Sequence, residues 1–139
     1  MMPTVEERLA AASRHLVQNR PDEAETIYRD LLEQDPRNAE AMAGLGAVLL
    51  RRGQLDEAFE FLGRATTLDP KDADTYRNLS VVYRAREEPA NALTCLEAAL
   101  ELSPDSVDTL VAMGEVLVAL GRPDDSVPLI EKAYGLSPD

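Results

Sequence analysis

The sequence is poor in aromatic side chains, histidine, cysteine and positive charge. Tryptophan is absent, one histidine and one cysteine occur, and aromatic residues make up 4% of the 139 residues. Because 45% of the residues are nevertheless hydrophobic, the core must be built from Leu, Val and Ala. The net charge is −12, which argues against nucleic acid or an anionic membrane as partner, since both bind through a surplus of Lys and Arg.

The scarcity of histidine and cysteine removes the usual chemistry of catalytic and metal sites. His15 and Cys95 are the only residues of their kinds, whereas a zinc site needs several such ligands and a Ser or Cys nucleophile needs a base. Gly44-Leu45-Gly46 resembles the start of a dinucleotide fingerprint, but Leu49 stands where a third small residue belongs. We therefore expect no catalysis, no metal and no cofactor, and a helix-packing role for the glycines.

The remaining cysteine and the hydrophobic runs bear on location. Because Cys95 is the only cysteine, an internal disulfide is excluded. We expect Cys95 to be partly exposed and without a role. No apolar run approaches 18 residues, and no apolar secretory segment follows Met1, so the sequence predicts neither a membrane-spanning helix nor a secretory signal. A reducing cytoplasm is the expected location.

Prolines recur at an interval of 34 residues along the whole chain. A fixed period of this length indicates one structural unit copied several times. With each proline at position 32, the repeats span 5–38, 39–72, 73–106 and 107–139, preceded by an N-terminal extension, 1–4. The periodic prolines are Pro36, Pro70, Pro104 and Pro138.

Small side chains recur at two positions of every repeat, where two backbones are expected to approach closely. They are Ala12, Gly46, Ser80 and Gly114 at position 8, and Ala24, Ala58, Ala92 and Ser126 at position 20. Larger apolar side chains follow at spacings of three and four residues, which predicts two amphipathic helices per repeat.

Helix start and stop signals agree with two helices per repeat. Gly53 and Gly121 follow the first helices, where a left-handed residue is preferred. Pro21, Pro89 and Pro123 occupy the first turn of the second helices. Acidic residues stand at the start of the second helices of the first, second and fourth repeats, as the helix dipole favours; they are Asp22, Glu23, Asp56, Glu57, Asp124 and Asp125. The prediction is an all-helical chain of four helical hairpins.

These positions together resemble the tetratricopeptide repeat, and the match covers residues 5–138. The second repeat carries the pattern best, with Leu45, Gly46, Ala58, Ala65 and Pro70. The resemblance implies a single domain over 5–138, an α-solenoid of four antiparallel helix-turn-helix repeats wound as a right-handed superhelix. It also implies that the first helices line a concave groove that binds a peptide or helix of a partner protein.

The family geometry predicts which side chains line that groove. They form a mostly aliphatic surface with one basic spot, and the residues selected as candidate binding residues are Leu16, Leu50, Arg51, Arg77, Asn78, Val81 and Arg84. The hypothesis is a partner segment with apolar side chains and at least one acidic group, because guanidinium groups bind carboxylates well. The alternative is that the three arginines are solvated and each pairs with a neighbouring acid.

The last repeat predicts an uncovered surface. No polar capping helix follows it, so Val127, Ile130 or Tyr134 are expected to be partly exposed, whereas terminal repeats normally carry a solvating cap. Pro138 then indicates a junction to a further repeat in a longer protein, or the surface is closed by self-association or a partner.

The functional prediction is a non-catalytic protein–protein interaction module. Two alternatives stay open. The repeats form the N-terminal substrate-recruiting arm of a larger transferase, such as a glycosyltransferase, or they act as a cytoplasmic chaperone for a secreted apolar protein.

Overall fold

The structure is a computed structural model that describes residues 1–137, so that the predicted junction residue Pro138 and Asp139 lie outside the described residues. Eight α-helices and no strand occur in residues 1–137, which confirms the all-α class and the four helix pairs. The helices are α1 (Val5–Val17), α2 (Pro21–Gln34), α3 (Ala39–Arg51), α4 (Leu55–Leu68), α5 (Ala73–Ala85), α6 (Pro89–Leu102), α7 (Val107–Ala119) and α8 (Pro123–Leu136).

The helices are grouped in two compact units. Unit 1 comprises Met1–Pro70 with α1 to α4, and unit 2 begins at Lys71 and holds α5 to α8. Within each unit the consecutive helices pack on one another. The boundary falls at the end of the second repeat, and the single domain over 5–138 stays a prediction.

The first helix of each repeat begins at a side-chain cap that the sequence analysis did not single out. The caps are Thr4, Asn38, Asp72 and Ser106, which recur every 34 residues and each accept a backbone N–H of the first turn. Such caps satisfy one of the donors that a helix start leaves unpaired. Their periodicity was readable from the sequence by the same rule as the prolines.

The second helices begin differently. The prediction of proline in their first turn is confirmed at Pro21, Pro89 and Pro123, and no side chain caps any of α2, α4, α6 or α8. Acidic residues occupy the first turn of α2, α4 and α8, as predicted. Proline and negative charge thus favour these helix starts where the hydroxyl and amide caps are missing.

The turn within every hairpin uses one left-handed residue at position 15. Gly53 and Gly121 adopt φ of 74° and 77°, as predicted, and Asn19 and Glu87 adopt 59° and 60°. Glycine has no Cβ to crowd the following carbonyl, and asparagine offsets the crowding by hydrogen-bonding locally through its short polar side chain, whereas glutamate has neither advantage. Glu87 is therefore the strained member of the set.

The small residues lie where the helices approach most closely. Ala12, Ala24, Ala58 and Ala92 are fully buried, and a Cβ on Gly46 would meet the Leu62 side chain at 2.6 Å. A Cβ on Gly44 would overlap the Tyr28 ring. The glycines of the 44–46 segment thus serve helix packing, as predicted.

The prediction that Cys95 is partly exposed is wrong. The residue is 8% exposed, because position 23 of α6 belongs to the packed side of this helix. Burial disfavours the thiolate and raises the pKa of the Cys95 thiol from 9.0 to about 11.

Helix α8 continues through Pro128. Proline cannot donate the backbone hydrogen bond of a regular helix, so α8 lacks one bond of its ladder. In the described part of the chain no helix is long and apolar enough to cross a membrane.

Candidate functional site

Four of the predicted binding residues lie on α5 in unit 2. Arg77, Val81 and Arg84 follow one another at spacings of four and three residues, which aligns them in one stripe on the helix. Val81 is 46% exposed, Arg84 is exposed, and Arg77 and its neighbour Asn78 are half-buried. The stripe therefore presents an apolar centre between two cationic groups.

Two acidic residues of α7 pair with these arginines. The Arg77 Nη1–Asp108 Oδ2 distance is 3.3 Å and the Arg84 Nη2–Glu115 Oε2 distance is 3.0 Å. Arg77 also pairs with Asp74 in the preceding turn of α5. The sequence analysis missed Asp108 and Glu115 as partners, although their seven-residue spacing equals that of Arg77 and Arg84 and signals two helices lying side by side.

Exposed valines lie between and beside these ion pairs. Val111 and Val118 of α7 are 36% and 55% exposed, and they lie three residues after Asp108 and Glu115 respectively. We call this surface the α5–α7 face; it consists of Arg77, Asn78, Val81, Arg84, Asp108, Val111, Glu115 and Val118. It combines apolar side chains with paired charges and is open to solvent.

The pairing leaves part of each guanidinium available. A guanidinium carries five N–H donors, and the ion pair of Arg84 with Glu115 joins one nitrogen to one carboxylate oxygen. A neighbouring acid also holds the arginine side chain in place, so that less rotamer entropy is lost when a further carboxylate binds. The arginines are paired with neighbouring acids, and they retain donors for a ligand.

The other three predicted residues, Leu16, Leu50 and Arg51, lie in unit 1. Leu16 and Leu50 are half-buried and Arg51 is exposed. The Arg51 Nη1 donates a hydrogen bond of 2.8 Å to the Leu16 carbonyl oxygen. The single basic spot predicted for Arg51, Arg77 and Arg84 joins residues of different units and stays a prediction.

Unit 2 also contains an open cavity at the end of the α5–α7 face, which we call the unit 2 pocket. Its volume is about 410 Å³, and it is lined by Arg84, Glu87, Pro89, Val116 and Ala119. This pocket was not among the sites predicted from the sequence. The sequence does show a difference at position 13 of the repeat: the fourth repeat has the small Ala119, whereas the second repeat has the long side chain of Arg51.

The last helix exposes the apolar side that the sequence predicted. Val127, Ile130 and Tyr134 are 49%, 42% and 68% exposed. The corresponding Leu96 of α6 is fully buried in a cluster with Met113 and Val116 of α7. Helix α8 thus presents to solvent a side that α6 presents to its neighbouring helix.

Residues 1–137 contain no group of three His, Cys, Asp or Glu side chains placed to hold a metal ion. The half-buried ring of His15 has its Nδ1 enclosed without a hydrogen-bond partner.

The comparisons with known proteins identify the family. Two profiles described as tetratricopeptide repeat match residues 9–73 and 71–139, which together cover nearly the whole chain. The chain belongs to the tetratricopeptide repeat family, whose repeats form protein–protein interaction scaffolds. No curated protein matches the chain as a relative.

Many solved structures share the fold. The structure of MamA is 24% identical, covers 96% of this chain and 78% of its own, and superimposes with a TM-score of 0.83. A thermophilic repeat protein of Thermus thermophilus is 22% identical with a TM-score of 0.81, covering 96% and 75%. An O-GlcNAc transferase of Thermobaculum terrenum is 28% identical with a TM-score of 0.78, covering 84% of this chain and 23% of its own.

Proposed function

We propose that the chain is a non-catalytic module that binds an extended or helical segment of a partner protein on the α5–α7 face. The observation that carries the proposal is the combination of the exposed Val81, Val111 and Val118 with two guanidinium groups that keep free donors. Apolar side chains of the partner cover the valines, and at least one partner carboxylate binds Arg77 or Arg84.

Three further points belong to the same proposal. The partner is a protein rather than nucleic acid or a membrane, in keeping with the net charge of −12. A reducing cytoplasm is the location, in keeping with a single cysteine that is free and buried. Leu16, Leu50 and Arg51 of unit 1 contribute to binding the same class of segment.

The test begins with selection of binders from a random library of 12-residue peptides. An enriched peptide and its copy with Glu and Asp changed to Gln and Asn are then titrated by fluorescence anisotropy. We expect Arg84→Glu to weaken binding of the acidic peptide by roughly 10- to 100-fold, in the range of a hydrogen bond to a charged group. Val118→Glu should weaken the binding of both peptides.

The control is Arg64→Glu, the same charge reversal on α4, where Arg64 pairs with Glu60 of its own helix. Binding that is equal for wild type, Arg84→Glu and Val118→Glu contradicts the assigned face. Loss of binding in Arg64→Glu to the same extent points to general electrostatics instead.

A repeat arm of a larger transferase is the second candidate. It is favoured by the likeness to the Thermobaculum terrenum O-GlcNAc transferase, at 28% identity over 84% of this chain. An immunoblot of the source cell with antibodies against this chain distinguishes the two: a band near 15.2 kDa contradicts the larger enzyme, and a much larger band supports it.

Self-association through α8 is also proposed, as an antiparallel pairing of two copies. A head-to-tail stack is disfavoured because α1 carries Ala11, Arg14 and Gln18 where α7 carries the apolar Met113, Val116 and Leu120. Two α8 helices with Val127 opposite Tyr134 bury the same apolar patch symmetrically, as a two-fold interface requires. Light scattering should show a dimer that Ile130→Glu dissociates; a monomer at high concentration contradicts the pairing.

A further inference from the structure

The unit 2 pocket has a counterpart in unit 1 at the same repeat positions. Its five lining residues occupy positions 12, 15 and 17 of one repeat and positions 10 and 13 of the next. In unit 1 these positions hold Leu16, Asn19, Pro21, Val48 and Arg51. The two places therefore share a backbone frame and differ in side chains.

In unit 1 a guanidinium reaches across this place. The Leu16 carbonyl oxygen accepts the Asn19 N–H at 3.1 Å and the Arg51 Nη1 at 2.8 Å. In unit 2 the corresponding Arg84 carbonyl accepts the Glu87 N–H at 3.0 Å, and position 13 is Ala119, which has no donor to add. A carbonyl oxygen has two lone pairs and can accept two hydrogen bonds. In unit 1 the Leu16 carbonyl oxygen accepts its second hydrogen bond from Arg51, and in unit 2 no arginine at position 13 donates this bond to the Arg84 carbonyl oxygen.

The charges around the unit 2 pocket favour a cation more than those in unit 1. The carbonyl groups at the end of α5 carry the negative pole of the helix dipole, as those at the end of α1 do in unit 1. Glu87 stands at the rim where unit 1 has the neutral Asn19. The cationic Arg84 side chain at the rim is already paired with Glu115 at 3.0 Å, which reduces its repulsion of a second cation.

We propose that the unit 2 pocket binds an arginine side chain of the partner segment, in the manner in which unit 1 receives its own Arg51. The guanidinium donates to the Arg84 carbonyl oxygen and pairs with the Glu87 carboxylate. Its aliphatic stem packs on Pro89 and Ala119, which are accessible to solvent, as long charged side chains commonly do on apolar surfaces. The inference rests on the proposed function, since it assigns one anchor of the segment that the α5–α7 face binds.

The probes are two capped tripeptides, Ac-Val-Arg-Val-NH2 and its copy with citrulline in place of arginine, which has the same shape without the charge. Binding is followed by NMR through the methyl group of Ala119 and the backbone amide of Glu87. We expect the arginine peptide to shift both signals saturably and at least about 10-fold more tightly than the citrulline peptide, because hydrogen bonds of charged groups are the stronger ones. Equal affinities of the two peptides overturn the proposal.

Three variants sharpen the test. Ala119→Arg supplies from within the chain the group that Arg51 supplies in unit 1, and should abolish peptide binding at this place. Arg51→Ala should create a second binding place, seen at the Asn19 amide. Glu87→Gln should weaken the binding of the arginine peptide and leave the affinity for the citrulline peptide unchanged.

Ala119 is exposed, so an arginine at this position does not enter the core, and Ala119→Leu provides a check by filling the pocket without a guanidinium. Unchanged binding of the arginine peptide to Ala119→Arg overturns the proposal. This result is distinguishable from failure of the proposed function, since the 12-residue acidic peptide and Arg84→Glu test the face without any arginine probe.

Discussion

Units 1 and 2 share one backbone repeat but hold it together with different polar interactions. In unit 1 one group of ion pairs connects α2 with α4 and with the turn that precedes α4, and Arg8 of α1 also pairs with Asp30 of α2. Arg29 pairs with Glu25 and Glu57, and Arg52 pairs with Asp22 and Glu25. In unit 2 the interhelical ion pairs join the first helices, through Arg77 and Arg84. Ion pairs thus join the two first helices in unit 2, whereas in unit 1 the first helices are joined by the hydrogen bond of Arg51 to the Leu16 carbonyl oxygen.

The apolar packing between neighbouring repeats also differs between the units. Unit 1 packs the large ring of Tyr28 on Gly44, whereas unit 2 places Ala112 against the cluster that contains Leu96. Both solutions fill the same space between positions 24 and 6, since a larger side chain is matched by a smaller one. The comparison teaches that volume is conserved at this contact while residue identity is not.

The difference that matters for function is at the open surfaces. Unit 1 closes one place with Arg51, and unit 2 leaves the equivalent place open with Ala119. Unit 2 also exposes Val81, Val111 and Val118 on its first helices. Beyond these surfaces, four predictions test the helix caps, the packing, the turns and the buried thiol of the two units.

The largest expected effect concerns the caps of the first helices. In unit 2 the Ser106 Oγ accepts the Thr109 N–H at 3.3 Å and lies 3.0 Å from the Thr109 hydroxyl, which is fully buried. Ser106→Ala should cost about 2–3 kcal/mol, since it removes a cap and a partner of a buried hydroxyl. Asn38→Ala in unit 1, where Ala41 replaces the threonine, should cost about 1 kcal/mol.

Urea unfolding at equilibrium measures both caps. Adding Thr109→Val to Ser106→Ala should recover part of the loss, because it removes the buried hydroxyl itself. Equal losses for Ser106→Ala and Asn38→Ala would mean that the buried threonine adds nothing.

The next effect concerns the Tyr28–Gly44 contact. Gly44→Ala should destabilise unit 1 by roughly 1–2 kcal/mol net, because the new Cβ displaces the buried ring while alanine favours the helix. In a double-mutant cycle measured by thermal unfolding, Tyr28→Leu should remove this penalty, because it reproduces the pairing of Leu96 with Ala112 in unit 2. A Gly44→Ala protein as stable as wild type contradicts the packing assigned to this contact.

A smaller gain is expected at the left-handed turn position. Glu87→Gly should stabilise unit 2 by about 0.5–1 kcal/mol, because glycine relieves the strain at φ 60° and loses part of that gain through its freedom in the unfolded chain. Gly121→Ala is the matched opposite change and should destabilise. Urea midpoints that do not move in opposite directions argue against strain at Glu87.

Ionisation of the Cys95 thiol should have the smallest effect on the free energy of unfolding at neutral pH, and this effect should grow as the pH becomes alkaline. Its pKa is about 11 when folded against an ordinary 9.0, so the unfolded state loses its proton first. The stability that the protonated thiol contributes is therefore present below pH 9 and lost as the pH rises towards 11. The difference in unfolding free energy between wild type and Cys95→Ala, measured from pH 8 to 11, should shrink or reverse; a constant difference contradicts the burial effect.

Local sequence signals predicted the fold well because they act within one or two turns. The prolines at position 17, the glycines at position 15 and the small residues at positions 8 and 20 each act on their own helix or hairpin. The caps at Thr4, Asn38, Asp72 and Ser106 were equally readable and were missed, because the predicted helix starts relied on the residues beside the prolines. The burial of Cys95 was not readable, since a residue beside the main apolar stripe becomes buried only through packing.

The sequence by itself determined the eight helices, their pairing and the exposed apolar side of α8, because periodicity, helix caps and turns are local properties of the chain. The tertiary structure alone decided that Asp108 and Glu115 meet Arg77 and Arg84, that Arg51 reaches the Leu16 carbonyl, and that Ala119 leaves a pocket open. These contacts join residues about 30 positions apart. Their distances depend on how neighbouring helices lie against each other, which no single stretch of sequence encodes.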